Sequence, residues 1–305
     1  MDMVNKILSI VLPPLVLLSL FLLSPLLCLF KLFNCVRRRL NTEDVTGKVV
    51  LITGASSGIG EQLAYEYARR GALLMLVDLR EDRLPPVAEK CRRIGSPDVV
   101  SVGGDVTVVE DCERFVDETI NHFGRLDHLV NNAGIIEFRA FEDHSQLTNA
   151  VRQMDTNFWG SVFATHFAIP HLKRSKGKIV VMASASGWFS YPKLSIYGAT
   201  KAAMINFYET LRIELGPEIG VTIIGPGFTK TEMATPEILA KEGWGFMPVL
   251  SATTCAKSIV DGVCRKERFV TKPSWIGSFF WVKTLCPELT DWFCRFRMKP
   301  NSKHD

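Results

Sequence analysis

No two of the eight cysteines (at 28, 35, 91, 112, 255, 264, 286 and 294) stand in a CxxC spacing, and they form no tight framework. That removes the usual signatures of a structural zinc site, a dithiol redox centre and a small disulfide-stapled domain. Free or buried thiols in a reducing compartment are expected, and no metal site. An Asn-x-Ser/Thr sequon is also missing, which argues against passage through a glycosylating lumen. Excess charge of one sign is small: the formal net charge is +4, and apart from Lys31 and Arg37 to Arg39 the basic residues are scattered. A nucleic-acid partner, which asks for a basic face or stripe, is therefore not expected. Internal repeats, low-complexity runs and a second linker before the C-terminus are lacking as well. What the chain has in quantity is apolar residues, 47% of the total, enough for one large α/β core.

The longest apolar run comes first. Ile7 to Phe30 is an uncharged, leucine-rich stretch of 24 residues, long enough as a helix to cross about 30 Å of hydrocarbon. A secretory signal has a shorter apolar core and a small-residue cleavage site, and neither pattern is evident. Pro13 and Pro14 lie in the first third of the stretch and Pro25 near its end. Each removes a helical hydrogen bond and crowds the preceding turn, so a kinked helix and two arms folded back on each other both fit. Lys31, Arg37, Arg38 and Arg39 follow the stretch, against Lys6 and Asp2 before it. By the positive-inside rule the bulk of the chain then faces the cytosol. A membrane anchor is expected over residues 1–40, one catalytic domain over 46–272, and an aromatic-rich segment over 273–305.

Lys48 to Thr53 is an apolar, β-branched run that suits a strand buried on both faces. It leads into Gly54-Ala-Ser-Ser-Gly58-Ile-Gly60 and a helical pattern with Leu63, Ala64, Tyr67 and Ala68 on one face. Such glycines let a backbone turn and approach a pyrophosphate, which then rests on the helix N-terminus. An ordinary strand-turn-helix carries glycines too. Leu73 to Val77 reads as a second strand ending at Asp78, where a carboxylate can take both hydroxyls of an adenosine ribose. Val99 to Val102 is a third strand, with Asp105 just beyond it. After a helix from Val109 to Phe123 comes Leu126 to Val130, then Asn131-Asn132-Ala133-Gly134. Turn capping would account for either asparagine alone. The alternation predicts an α/β, doubly wound parallel sheet, the Rossmann fold, with its ligand at the carboxyl edge.

Lys178 to Ala183 is another buried strand and ends in Ser184-Ala-Ser186-Gly187. Tyr197 and Lys201 follow on a predicted helix, four residues apart and hence on one face. A tyrosine titrates near pH ~10 and is a poor base at neutrality. A nearby cation favours the phenolate and brings it toward the range of a general acid/base. Ser184 is placed to hydrogen-bond a substrate oxygen as charge develops there. A surface tyrosine and lysine on an amphipathic helix would show the same spacing.

TGASSGIG, NNAG, a serine followed by YxxxK, and Pro226-Gly227-Phe-Thr-Lys-Thr231 together resemble the short-chain dehydrogenase/reductase family in order and spacing. The resemblance covers about residues 46–235. It implies that Gly54, Ser56, Ser57, Gly58, Ile59 and Gly60 hold a pyrophosphate, with Asp78 and Arg80 at the ribose and Asp105 and Val106 at adenine. Asn132, Ala133 and Gly134 would support the middle of the dinucleotide, and Pro226, Gly227, Thr229 and Thr231 its carboxamide. Tyr197 would be the acid/base, and Lys201 would hold the nicotinamide ribose and lower the tyrosine pKa. Ser184 would orient the substrate, and Asn157 would complete a proton relay through water to Lys201. Ser186 competes for the serine role, but the family's usual gap to the tyrosine favours Ser184.

The proline-bearing prefix and the runs GEQLAYEYA, HFGRLDHLVNNAG, DTNFWGS and CPEL are similar to the plant 11β-hydroxysteroid dehydrogenase-like group, which includes the steroleosins of seed oil bodies. That similarity implies a steroid or sterol-like substrate, a homodimer, and a lipid-droplet or endoplasmic-reticulum surface. Another lipophilic carbonyl, such as a retinoid or long-chain ketone, is a second reading. A non-enzymatic droplet coat is a third, though a coat has no need of Ser184, Tyr197 and Lys201 together. One departure stands out. The group tends to have Ala-Arg after the second strand, which accommodates the 2′-phosphate of NADP, whereas here Asp78-Leu79-Arg80 stands. No Lys or Arg occupies Ser56 or Ser57 to offset the carboxylate; Arg80 is the one basic residue able to reach a phosphate there, but it stands two residues along and can also point away, so NAD is favoured over NADP. Phe228 to Leu250, with Met233, Ile238, Leu239, Trp244, Phe246 and Met247, fits either a lid over a hydrophobic ligand or a cap on the core. The aromatics from Trp275 to Phe296 fit a membrane interface or a partner subunit.

Overall fold

The computed structural model describes residues 2–143 and 147–298. It divides into two compact units, one before Asp44 and one from Asp44 onward. The first is a single helix, α1 (Asp2–Leu40), which runs unbroken through Pro13, Pro14 and Pro25. Of the two arrangements that the prolines left open, the structure has the continuous helix. Leucine, among the best helix formers, flanks each proline. Asp2 in the first turn and Arg37, Arg38 and Arg39 in the last match the helix dipole at both ends. The most apolar window of α1 has a mean hydropathy of 2.5 and is wholly exposed. By length and composition α1 can cross a membrane.

In the second unit strands and helices alternate. The first half runs β1 (Val49–Thr53), α2 (Gly58–Arg69), β2 (Leu73–Asp78), α3 (Leu84–Ile94), β3 (Val99–Gly103), α4 (Val109–Phe123) and β4 (His128–Asn131). Next come α5 (Thr148–Met154), α6 (Gly160–Ser175), β5 (Lys178–Met182), α7 (Ser195–Glu214) and β6 (Gly220–Pro226). The chain continues through β7 (Thr229–Lys230), α8 (Pro236–Lys241), β8 (Leu250–Ser251), α9 (Ala252–Cys264) and β9 (Phe269–Lys272). It closes with α10 (Ile276–Leu285) and α11 (Pro287–Met298).

Seven strands form one parallel sheet in the order β3-β2-β1-β4-β5-β6-β9, the doubly wound arrangement that the alternation predicts. The period of two along a strand sends Val50 and Ile52 to one face, among α2, α3 and α9. Val49 and Leu51 point to the other, among residues of α4, α6 and α7. Because both faces are covered, β1 is buried along its whole length, which is why the sequence shows a continuous apolar run. The order reverses between β1 and β4, and there the carboxyl ends of the strands open a crevice.

The segment between β6 and α9 carries the short parallel pair β7 and β8 with α8 between them. Leu239 and Trp244 are buried while Met233 and Phe246 are exposed, so this segment caps the fold and presents an outer apolar face at once. The aromatics after Trp275 divide in the same way. Phe279 and Phe280 pack against Phe189 and Trp188, and Phe293 against Phe246. Trp281, Leu285, Trp292 and Phe296 remain exposed.

One polar cluster ties the helices on one face to the sheet beside the crevice. Tyr208 of α7 is fully buried, and its hydroxyl meets Ser161 Oγ at 2.8 Å and Thr165 Oγ1 at 2.7 Å on α6. It donates to the Ser161 carbonyl at 2.9 Å, and Asn131 at the end of β4 donates to it at 3.1 Å. Burial pushes the phenol up to about 12 against the pull of these hydrogen bonds, so it stays neutral. Tyr208→Phe would keep the ring and strand these buried partners, each worth about 1–3 kcal/mol when left unsatisfied. We expect a cooperative unfolding transition lowered by a few degrees in calorimetry; an unchanged midpoint would show that the cluster holds nothing together.

Candidate active site

The crevice is built from three strand ends. At the first, Gly54 and Gly58 take positive φ of 66° and 60°, which glycine adopts without strain. A Cβ on Gly54 would lie 2.8 Å from Ala133 Cα, and one on Gly60 would lie 2.0 Å from the Gly54 carbonyl oxygen. The loop therefore lies flat on β4 and α2 packs directly on the loop. Helix α2 has Ser57 at its N-cap with no side-chain hydrogen bond to the first-turn amides. Those amides are orphan donors at the positive end of a helix, a site that suits an anion such as a pyrophosphate.

Asp78 braces this loop from the end of β2. One carboxylate oxygen accepts from Ser56 N at 3.0 Å and the other from Arg80 N at 3.0 Å. Arg80 does not point away. Its guanidinium donates to Ser56 Oγ at 3.1 Å and Ser57 Oγ at 2.8 Å and lies 3.5 Å from Asp78. The sequence puts no cation in the loop; the fold supplies one from two residues beyond the strand, a placement that linear spacing does not reveal.

At the second strand end, Asn132 donates through Nδ2 to the Thr53 and Gly54 carbonyls at 3.0 and 2.9 Å. It both clamps the glycine loop and lines the crevice. Asn131 turns inward to Tyr208 and Thr165 instead. Asn157 sits in a π-helical turn, Asp155–Trp159, a local widening often found at functional sites. It is wholly buried. Its Oδ1 accepts from Ile135 N at 2.7 Å, and its Nδ2 donates to the Ile135 carbonyl at 2.9 Å and to Thr200 Oγ1 at 3.0 Å.

The third end carries Ser184, with Tyr197 and Lys201 on α7 beside it. Ser184 Oγ accepts from Ser186 N at 3.2 Å and hydrogen-bonds the Tyr197 phenol. Lys201 is 4% exposed and donates to the Met182 carbonyl at 2.7 Å, with its ammonium 5.6 Å from the Tyr197 ring centre. Burial pushes the phenol up to about 12, more than the Ser184 hydrogen bond pulls it down. Burial likewise pulls the ammonium down to about 7. The expectation of a phenol lowered by its lysine is thus corrected for the protein by itself. Desolvation governs both groups, and the lysine spends its hydrogen bond on the strand end.

These groups line one cleft of about 550 Å³, within the size range of small-molecule sites. Gly54, Ser57, Gly58, Ile59, Asp78, Arg80, Asp105, Val106, Asn132, Ala133 and Gly134 form its wall together with Ser184, Tyr197, Lys201, Pro226, Gly227, Thr229 and Thr231. Ser56, Gly60 and Asn157 stand behind that wall and act through the backbone they hold. Ser186 lines the cleft as well, but its hydroxyl has no partner while that of Ser184 engages the phenol. Sequence reasoning missed Phe138, Tyr191 and Leu194, which with Phe228 and Met233 make the outer wall apolar. The run Trp188-Phe-Ser-Tyr191 between the serine and the tyrosine was the available signal. In the fold, Tyr191 packs on Phe189, Phe228 and Trp244.

Comparison with known proteins agrees with this geometry. Residues 48–242 match the family model described as short chain dehydrogenase. A relative in Arabidopsis thaliana, 11-beta-hydroxysteroid dehydrogenase-like 4A, is 56% identical over 95% of this chain and 97% of its own length. Among solved structures, a short chain dehydrogenase/reductase from Burkholderia phymatum in complex with NAD has a TM-score of 0.73 and 25% identity, covering 81% of this chain and 96% of that one. An alcohol dehydrogenase from Thermococcus sibiricus complexed with 5-hydroxy-NADP has a TM-score of 0.65 and 27% identity, covering 73% and 94%. The chain belongs to the short-chain dehydrogenase family and is an NAD(P)-dependent oxidoreductase acting on CH–OH groups.

Proposed function

We propose that the protein oxidises the hydroxyl, or reduces the ketone, of a steroid or sterol-like lipid, and that α1 holds it at a membrane or lipid-droplet surface. The observation that carries this reading is the juxtaposition of Ser184, Tyr197 and Lys201 with an outer cleft wall of Phe138, Tyr191, Leu194, Phe228 and Met233. A polar reacting end and an apolar flank are what a large lipid with one oxygen function requires. The names of the plant relatives point to the same class.

The chemistry follows from the positions of the side chains. When bound, the nicotinamide supplies or accepts the hydride. Ser184 holds the substrate oxygen, and Tyr197 gives it a proton in reduction or takes one in oxidation. Lys201 at the strand end is placed to bind the nicotinamide ribose. A cofactor bringing negative charge there would favour the ammonium, and a charged lysine would lower the tyrosine. Asn157 fixes the Ile135 peptide and, through Thr200, the helix turn that carries Tyr197. The orphan amides of α2 suit the pyrophosphate, Asp105 and Val106 the adenine, and Pro226 to Thr231 the carboxamide. Asp78 favours NAD, because a carboxylate beside the ribose repels a 2′-phosphate of about two negative charges. The protein would act as a homodimer.

Two outcomes test this reading. Tyr197→Phe keeps the ring and removes the proton-carrying oxygen, so turnover of a hydroxysteroid should fall by at least ~10² with dinucleotide affinity retained. Turnover near that of the parent would remove Tyr197 from the chemistry. By the positive-inside rule the basic cluster after the apolar stretch supports a catalytic unit on the cytosolic side. Protease added to intact microsomes or droplets should then digest it, and full protection until detergent is added would reverse the orientation.

A further inference from the structure

Beside the glycine loop the structure gathers two guanidiniums and two carboxylates from two separate segments. Arg80 pairs with Asp78 of β2 at 3.5 Å and with Glu232 at 3.3 Å. Arg83 pairs with both carboxylate oxygens of Glu232 at 3.1 Å. Glu232 comes from the far wall of the cleft, in the turn between β7 and α8, more than a hundred residues away in sequence. The neighbouring acid Glu81 lies instead against Gly103 at the end of β3. The pairs hold each other balanced, and Glu232 supplies Arg80 with an anionic partner that no coenzyme has to provide.

The position of this cluster gives it a consequence. Arg80 also lies on the hydroxyls of Ser56 and Ser57, at the corner where loop and β2 meet and where the ribose would rest. A guanidinium there can hold a 2′-phosphate in the two-pronged manner of an arginine. We propose that Glu232 is a specificity-determining residue for the dinucleotide: it occupies Arg80 and Arg83 from the substrate side of the cleft, so that a 2′-phosphate must displace it. This rests on the dinucleotide reading of the cleft given above. Selection then has two parts, repulsion by Asp78 and competition by Glu232. The competing residue sits beside Thr231, whose methyl a Cβ on Gly58 would meet at 3.3 Å. A displaced Glu232 would therefore be felt where the turn after β7 touches the glycine loop.

All three partners in the Glu232 cluster are well exposed, at 42%, 45% and 61% for Arg80, Arg83 and Glu232, so solvent screens the effect and it is modest. Calorimetric titration of the detergent-solubilised full chain with NAD and with NADP tests it without knowledge of the substrate. The parent should bind NAD more tightly. Glu232→Gln should raise the NADP-to-NAD affinity ratio about tenfold, or roughly 1.4 kcal/mol, and the gain should shrink as salt is added. Combining it with Arg80→Gln and Arg83→Gln should erase the gain, because both freed guanidiniums are then gone. An unchanged ratio in Glu232→Gln, or a gain that survives loss of both arginines, would overturn the proposal. Failure of the parent to bind either dinucleotide would overturn the reading of the cleft itself and this inference with it.

Discussion

The contact on which the cleft depends is backbone on backbone. The glycine loop after β1 lies on the residues that follow β4 so closely that a methyl group on Gly54 would sit 2.8 Å from Ala133 Cα. Asn132 seals the seam by donating to the Thr53 and Gly54 carbonyls. Because this seam falls where the strand order reverses, the first turn of α2 and the end of β4 face a common space. The dinucleotide cradle and the floor of the chemical site are thus one construction. A side chain at either glycine would part them.

The chemical groups are held at some expense of stability. Lys201 is buried with its ammonium lowered to about 7 from an ordinary value of 10.5. Between those values the folded chain binds fewer protons at this site than the unfolded chain. Its contribution to stability therefore rises with pH across that window and is least favourable below it. Tyr197 is likewise kept neutral by burial. Both charges are disfavoured in the protein by itself, which suits the proposed role, in which proton transfer would wait for cofactor and substrate. The surrounding hydrogen bonds, from Met182 to Lys201 and from Asn157 through Thr200 to the Tyr197 turn, fix geometry rather than charge.

Much of this was legible in the residues. Parallel strands buried on both faces appear as continuous apolar runs, so β1, β2 and β5 were visible, and the helix from Val109 to Phe123 falls where its pattern places it. Motif spacing brought Ser184, Tyr197 and Lys201 onto one cleft wall. Three things were not legible, each for a physical reason. Arg80 reaches the loop by a side-chain path that spacing along the chain does not encode. The direction of the Tyr197 and Lys201 pKa shifts depends on burial depth, a property of the packed fold. Part of the outer wall of the cleft is assembled from Phe138, Tyr191 and Leu194, which lie in irregular segments without periodicity. The prolines of α1 left a kinked helix and two folded-back arms both open, and the helix runs through them.

The account stands on the claim that an apolar cleft leads to a hydride-transfer centre for lipid alcohols. The most direct measurement is turnover of the purified full-length chain on a panel of hydroxysteroids and short, water-soluble secondary alcohols, followed by nicotinamide absorbance with NAD and with NADP. The account predicts steady reduction of the dinucleotide with at least one hydroxysteroid and a kcat/KM well above that for the short alcohols. Efficient turnover of the short alcohols with none of the steroids would contradict it.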